Sequence, residues 1–322
     1  MYIVTGGAGF IGSAVVWKLN SEGIEDILVV DNLGRSDKWK NLVNRSFTDY
    51  VHKSEFLAAL GAGKIGPVDA IVHMGACSST TETDADFLMG NNFHYSTALA
   101  EYALKNDIRM INASSAATYG DGSAGFSDGI EKIKQLKPLN MYGYSKQLFD
   151  LWALRTGALD RIASLKFFNV FGPNEYHKVD MCSMVYRGYH QIRESGSLRL
   201  FKSYRPAFAD GAQSRDFVYV KDCVDVVWWL LQNPDVGGVY NVGTGVDRTW
   251  NDLAAALFSA MGKKKNVAYI EMPETLKGRY QYYTRAEMDK LGQAGCPVEF
   301  TSLEAAVLDY VQNYLEEEDC YL

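Results

Sequence analysis

Long apolar runs are missing from this chain: no stretch approaches the roughly 20 consecutive apolar residues of a membrane-spanning helix. Cysteine is sparse. Cys77, Cys182, Cys223, Cys296 and Cys320 are odd in number and far apart, with no CxxC pair among them. That pattern argues against a disulfide framework or a zinc site and fits free thiols in a reducing cytoplasm. His52, His73, His94, His177 and His190 are just as dispersed, so no metal centre is expected. Internal repeats and low-complexity tracts are also missing. Positive charge is not in excess; the net charge of −7 favours solubility and argues against a general nucleic-acid binder. Met1 to Thr5 look like a strand that starts at once, which leaves no room for a signal peptide. With 322 residues, 47% hydrophobic and 22% charged, the chain suits one large or two modest soluble domains with a sizeable core.

What is present begins with glycine. Tyr2-Ile3-Val4 leads into Thr5-Gly6-Gly7-Ala8-Gly9-Phe10-Ile11-Gly12, and a helical pattern follows to about Glu22. A strand, a glycine turn and a helix make a phosphate-binding unit. Gly6 and Gly9 permit the tight turn and close backbone approach, while Gly12 lets the helix pack near the strand. A pyrophosphate would sit at the helix N-terminus, where free N–H groups and the dipole favour anions. The next strand, Ile27 to Val30, ends at Asp31-Asn32. An acid at this point usually bonds the adenine ribose hydroxyls and suggests NAD. Arg35 and Lys38 follow closely and could instead pair with a 2′-phosphate, so these residues alone leave the choice open.

Further strand-like runs are Ala70 to His73, Met110 to Ala113 and Ala163 to Phe168, with helical segments between them. The alternation predicts an α/β fold with a Rossmann-like doubly wound parallel sheet. Ligands bind beyond the carboxyl ends of such strands. Three of those ends are polar or glycine-rich: Gly75 to Ser79, Ser114-Ser115, and Asn169. His73 is expected to pack near the sheet end. After Gly172-Pro173 the alternation fades into loops and helices near Met181 to Glu194, Trp250 to Met261 and Ser302 to Tyr314. This predicts a smaller, discontinuous α/β substrate domain, with returns to the sheet near Phe217 to Val220 and Val239 to Val242. The expected division is 1–170, 217–247 and 274–298 for the cofactor, and 171–216, 248–273 and 299–322 for the substrate. Lys263 to Lys265 and Glu316 to Asp319 are expected to be solvated surface charge.

The stretch Pro138 to Lys146 reads as the opening of a helix, which places Tyr142 and Lys146 four residues apart on one face. Tyr144 has no such partner, because position 148 is Leu148. A free phenol titrates near pH 10, too high for a base at neutral pH. An ammonium one turn away and a cationic nicotinamide ring are expected to lower it. A shift of about three units needs roughly 4 kcal/mol.

Gly6-x-x-Gly9-x-x-Gly12, Ser115 and Tyr142-x-x-x-Lys146 together resemble the extended short-chain dehydrogenase/reductase family acting on nucleotide sugars. A finer set of motifs runs along essentially the whole chain. It comprises Gly75-Ala76-Cys77-Ser78-Ser79-Thr80-Thr81-Glu82, Ser114 to Gly120, Asn169 to Pro173, His177-Lys178, Arg215 to Val220 and Leu276 to Gln281. This set resembles the branch of that family that epimerises an ADP-linked heptose at carbon 6, in service of lipopolysaccharide core heptose. The resemblance implies tightly held NADP, with NAD the lesser expectation. It carries cofactor contacts onto Gly6, Gly9, Phe10, Ile11, Gly12, Asp31, Asn32, Lys38 and Lys53. It carries them further to Met74, Gly75, Ala76, Cys77, Ser78, Asn91, Lys146, Val170 and Lys178, with Asn32 and Lys38 tolerating the extra phosphate. Substrate contacts carry over to Ser115, Asn169, Asp180, Arg187, Phe201, Arg215 and Tyr280, and Arg215 could hold diphosphate oxygens bidentately. A cytoplasmic homo-oligomer, a pentamer, is also implied, with no membrane or nucleic-acid partner. The chain departs from the branch at Val179-Asp180, where Gly-Ser is usual, and at Arg187, where His is usual. Phe201 to Tyr204 replaces a more acidic run, and Tyr204 to Ser214 is longer than usual.

Inverting an unactivated secondary alcohol carbon requires making it planar, and a nicotinamide does so by taking a hydride. Tyr142 would move the hydroxyl proton, Ser115 would bond the same oxygen, and Lys146 would hold the nicotinamide ribose. The resemblance places a second acid/base at Lys178. One rival is a 4,6-dehydratase, but related dehydratases carry Asp-Glu after the Ser/Thr, where this chain has Ala116-Ala117. Another is a non-catalytic cofactor sensor on the same fold, which would not need Ser115, Tyr142 and Lys146 together.

Overall fold

The computed structural model describes residues 1–277 and 280–322, so Gly278 and Arg279 of the Leu276 to Gln281 motif lie outside it, as does the Asp180 side chain. In chain order the strands are β1 (Tyr2–Thr5), β2 (Ile27–Asp31), β3 (Asp49–His52), β4 (Ala70–His73), β5 (Arg109–Ser115) and β6 (Ile162–Phe167). They continue with β7 (Asn169–Phe171), β8 (Leu198–Phe201), β9 (Ser214–Tyr219), β10 (Gly238–Val242), β11 (Asp247–Thr249) and β12 (Val267–Ile270).

Seven of them form one sheet in the order β10-β6-β5-β4-β1-β2-β3, every pair parallel. Alternate residues of a strand face opposite sides, and the buried side chains divide accordingly. Val4, Val29, Val72 and Ile111 join one core with the helices Phe10–Ser21 and Val220–Gln232. Ile3, Leu28, Ile71 and Met110 join a second with Tyr95–Lys105 and Met141–Thr156. Apolar residues on both faces explain the near-continuous hydrophobic runs of these strands. The Rossmann-like fold class read from the sequence is borne out. Strand order reverses between β1 and β4, and the crevice beyond their carboxyl ends is where such sheets bind ligands.

The expected return of Phe217 to Val220 to the main sheet does not occur. Beyond β6 that edge is occupied by β10. The chain leaves the sheet at Phe168, and β9 pairs in parallel with β7, Asn169 opposite Phe217, while β11 closes its other side antiparallel. A two-stranded sheet of β8 and β12 stands apart. β3 went unread in the sequence because its short run Asp49–His52 lies half-exposed at an edge, with no buried residue. Among the described residues no helix is long and apolar enough to cross a membrane.

Candidate active site

The site is a single cavity of about 1150 Å³ running across the carboxyl ends of β1, β2, β4 and β5. Its floor is the glycine turn. Gly6 has φ +65°, and a β-carbon there would sit 2.6 Å from the Gly75 nitrogen. At Gly12 a β-carbon would fall 2.0 Å from the Gly6 carbonyl oxygen, so neither position accepts a side chain. The following helix starts after Gly9 with no side chain capping its first turn, whereas the helices at Met141, Met184 and Trp250 are capped by Asn140, Ser183 and Thr249. Uncapped N–H groups beside open space suit a pyrophosphate. By this test the residues fit a dinucleotide.

Asp31 is buried at the end of β2. One carboxylate oxygen accepts from Ala8 N at 2.8 Å; the other accepts from Asn32 N at 2.6 Å and from the Lys38 ammonium. Farther along, Lys53 donates to Asn91 Oδ1 at 2.5 Å. Asn91 and Asn92 sit side by side on a π-helical turn, Met89–His94. Asn92 brackets Cys77, accepting from its N–H at 2.8 Å and donating to its carbonyl at 2.9 Å, and so holds the Met74 to Ser78 loop in the wall. Sequence reasoning missed Asn92; its adjacency to Asn91 was the available signal. His73 is wholly buried between Thr5 and Ser96 and pushed down to about 3 by burial, so it packs as expected.

Asn140 sets the start of the next helix by accepting from Gly143 N at 2.8 Å. That start brings Tyr142 into the cavity beside Ser115. Lys146, one turn on, is buried and donates to the Ala113 carbonyl at 2.7 Å. Burial pulls its ammonium down to about 8, with Asp150 acting in the opposite direction. The lowered phenol read from the sequence is not what the chain's own groups produce. Burial pushes Tyr142 above the ordinary range, and the neighbouring Ser115 only partly offsets this. The Lys146 ammonium, which donates to the Ala113 carbonyl, is not among the groups that shift the phenol.

Lys178 comes from the loop after Gly172-Pro173, organised by the buried carboxylate of Glu175. That group accepts from Ser183 Oγ at 2.7 Å and from Gly172 N at 3.3 Å. The Lys178 ammonium stands 5.2 Å from the centre of the Phe10 ring and is lowered by burial, with Glu175 opposing. His177, beside it, is pushed down to about 4 by burial and by Lys38 and Lys178. Val179 adopts φ +48°, a region that disfavours a branched side chain.

Asn169, Val170, Arg187, Phe201 and Tyr280 also line the cavity, as do Phe10, Ile11, Asn32, Gly75, Ala76 and Ser78. Arg215 does not. Its buried guanidinium donates to the Ser214 carbonyl at 2.8 Å and to the Gln281 carbonyl, and stacks on Tyr280 and Trp250. Paired with Arg248 of β11, it is held against Trp250 and Tyr280, which line the cavity, so the expected bidentate grip on a diphosphate is not available to it as it stands. Arg199 of β8, missed in the sequence, faces the cavity instead, and its guanidinium has no ion pair among the described residues. The Leu-Arg-Leu alternation of β8 was its only signal. Among the described lining residues, six lysines and arginines (Lys38, Lys53, Lys146, Lys178, Arg187 and Arg199) face one carboxylate, Asp31. In a protein of net charge −7 this marks a site for strongly anionic ligands. Among the described residues no group of three or more His, Cys, Asp or Glu could hold a metal ion.

This chain belongs to the NAD dependent epimerase/dehydratase family, whose model matches residues 2–243. Within it, the chain is 64% identical over 323 residues, covering 100% of both chains, to ADP-L-glycero-D-manno-heptose-6-epimerase of Nitratidesulfovibrio vulgaris (strain DP4). The crystal structure of the Helicobacter pylori ADP-L-glycero-D-manno-heptose-6-epimerase superposes with a TM-score of 0.83 at 26% identity, covering 97% of this chain and 95% of that one. The resemblance read from the motifs is borne out. The cofactor expectation is not: the matching family is NAD dependent, which overturns NADP. A Thermus thermophilus UDP-glucose 4-epimerase solved with NAD shares the fold (TM-score 0.74, 24% identity, 95% of this chain and 96% of that one). The physical reason lies at Asp31, whose fixed carboxylate already holds Lys38, the cation that was expected to meet a 2′-phosphate.

Proposed function

We propose that this chain interconverts ADP-D-glycero-D-manno-heptose and ADP-L-glycero-D-manno-heptose by inversion at carbon 6, with NAD as its cofactor. The observation that carries the reading is the meeting of Ser115, Tyr142, Lys146 and Lys178 in one cation-rich cavity large enough for two diphosphate ligands. NAD, when bound, supplies reversible hydride acceptance at the carbinol carbon. Gly6, Gly9, Gly12 and the uncapped helix start would hold its pyrophosphate, and Asp31 its adenine ribose. Tyr142 takes or returns the hydroxyl proton, Ser115 bonds the same oxygen, and Lys178 serves the epimer whose oxygen lies elsewhere. Arg199 and Arg187 supply positive charge for the diphosphate of the sugar nucleotide, with Asn169, Phe201 and Tyr280 around the sugar. Elimination is disfavoured, because Ala116 and Ala117, next in the wall after Ser115, can donate no proton.

The resemblance also supports a cytoplasmic homo-oligomer, read as a pentamer, that supplies heptose for lipopolysaccharide core; sedimentation equilibrium tests the assembly. The proposed cofactor and substrate divisions are supported by the main sheet falling in the first and the β8–β12 sheet in the second, while the β11-β9-β7 sheet joins the two.

The deciding experiment incubates each ADP-heptose isomer with the purified protein and follows the sugar by carbon-resolved NMR. Both isomers should converge on one mixture. No conversion, with or without added NAD, overturns the reading and leaves a non-catalytic binder.

A further inference from the structure

Behind Lys146 lies a closed set of polar groups that the proposed chemistry does not use. Asp150 follows Lys146 by four residues as Lys146 follows Tyr142, so all three share one face of the helix Met141–Thr156. Asp150 is wholly buried. So is its partner, Lys166 of β6, whose ammonium lies 2.6 Å from the carboxylate. The same carboxylate accepts from Ser114 and from Ser164, each at 2.8 Å. Lys166 also donates to Thr118 at 2.7 Å, and Thr118 in turn donates to the Ser115 carbonyl at 2.8 Å. The cluster therefore touches the backbone of Ser115 on one side and stands one helical turn from Lys146 on the other.

A buried ion pair is weak evidence for stability, since an apolar pair of similar volume often does as well. Its position here points to another use. We propose that Asp150 and Lys166 form a charge-balanced support that keeps Lys146 cationic, and that the balance between them sets the pH range over which the site works. The part concerning turnover rests on the reading of Lys146 above.

The surroundings of Lys146 leave few alternatives. From its own helix it is faced by Tyr142 and Asp150, and from β5 by the Ala113 carbonyl. From β4 comes His73, held neutral by burial and by Lys146 itself. Cys77, after β4, acts on Tyr142. Lys166 of β6 reaches Lys146 only through Asp150. Asp150 is thus the one carboxylate within this set, and it opposes the burial that drives the Lys146 proton off.

The consequences differ in sign for the two partners. Asp150→Asn leaves Lys166 as an unbalanced cation, so Lys146 should lose its proton at lower pH. Lys166→Met leaves the carboxylate unbalanced, so Lys146 should keep its proton to higher pH. The double variant removes both charges and should sit near the wild type. A merely structural role would move all three variants the same way.

The test is a pH titration by NMR of protein carrying lysine labelled with carbon-13 at Cε. The Lys146 resonance is assigned by its loss in Lys146→Arg. Midpoint shifts of about one unit in opposite directions for the single variants are expected, with restoration in the double variant. The alkaline limb of the pH–turnover profile should follow in the same order. Shifts of one sign, or none, in folded variants overturn the proposal, as does a turnover limb that stays fixed while the resonance moves. If Asp150→Asn fails to fold, Lys166→Met and the double variant still decide. The titration needs no substrate, so a wild type that leaves ADP-heptose unchanged would refute the functional reading while the charge balance is still measured.

Discussion

The Lys38 ammonium is bonded to the Asp31 carboxylate at the end of β2, and Asp31 is pinned from its other oxygen by the Ala8 N–H at 2.8 Å. A carboxylate fixed in this way suits the two hydroxyls of a ribose and repels a 2′-phosphate. The chain is therefore expected to purify with NAD. Cofactor released by denaturation should lack the 2′-phosphate on mass spectrometry, and cofactor carrying it would contradict the account. Asp31→Ala should weaken NAD binding about tenfold or more through the loss of charge-assisted bonds.

Tyr142→Phe removes one oxygen and keeps the ring, so the fold and the cofactor content should not change. Turnover should fall by about 10²–10⁴-fold, the usual contribution of a general acid/base. Epimerisation near the wild-type rate would remove Tyr142 from the chemistry.

Lys146 has a consequence for stability. Burial lowers its folded value to about 8, against about 10.4 in an unfolded chain. Holding the proton below that point costs stability. Between the two values the unfolded chain binds the extra proton, so stability rises with pH there. Lys146→Met should therefore raise stability at about pH 7 by on the order of 1–2 kcal/mol, after the lost bond to Ala113 is set against it. The advantage should shrink as pH climbs through about 8 towards 10, while activity is lost throughout. Thermal melts at the two ends of that range check it; a variant less stable at neutral pH would contradict it.

Lys178→Met keeps most of the stem against Phe10 and removes the amine. Overall epimerisation should collapse while one half-reaction survives. Single-turnover absorbance of the reduced cofactor should show one epimer still oxidised and the other not. Oxidation of both at wild-type rates would leave Lys178 a binding residue and require one base for both epimers.

Much of this site was legible because its signals are local. The glycine turn at Gly6 to Gly12 and the Asn140-capped helix carrying Tyr142 and Lys146 depend on neighbours within a few residues. The parallel character of the main sheet followed from the alternation of strands and helices, although β3 went unread. Contacts between distant segments were not legible. β9 pairs with β7 while β10 occupies the edge beside β6, and Arg215 is held against Trp250 and Tyr280 while Arg199 faces the cavity. The upward shift of Tyr142 comes from its burial, and i to i+4 spacing carries no such information.

The central claim is inversion by removal and return of hydride at one carbon. The most direct measurement follows ADP-heptose carrying deuterium at carbon 6 through epimerisation in ordinary water. The account predicts that the deuterium stays at carbon 6 in the product epimer. Loss of the label to solvent, in step with inversion, would mean that the carbon exchanges a proton instead, and would contradict it.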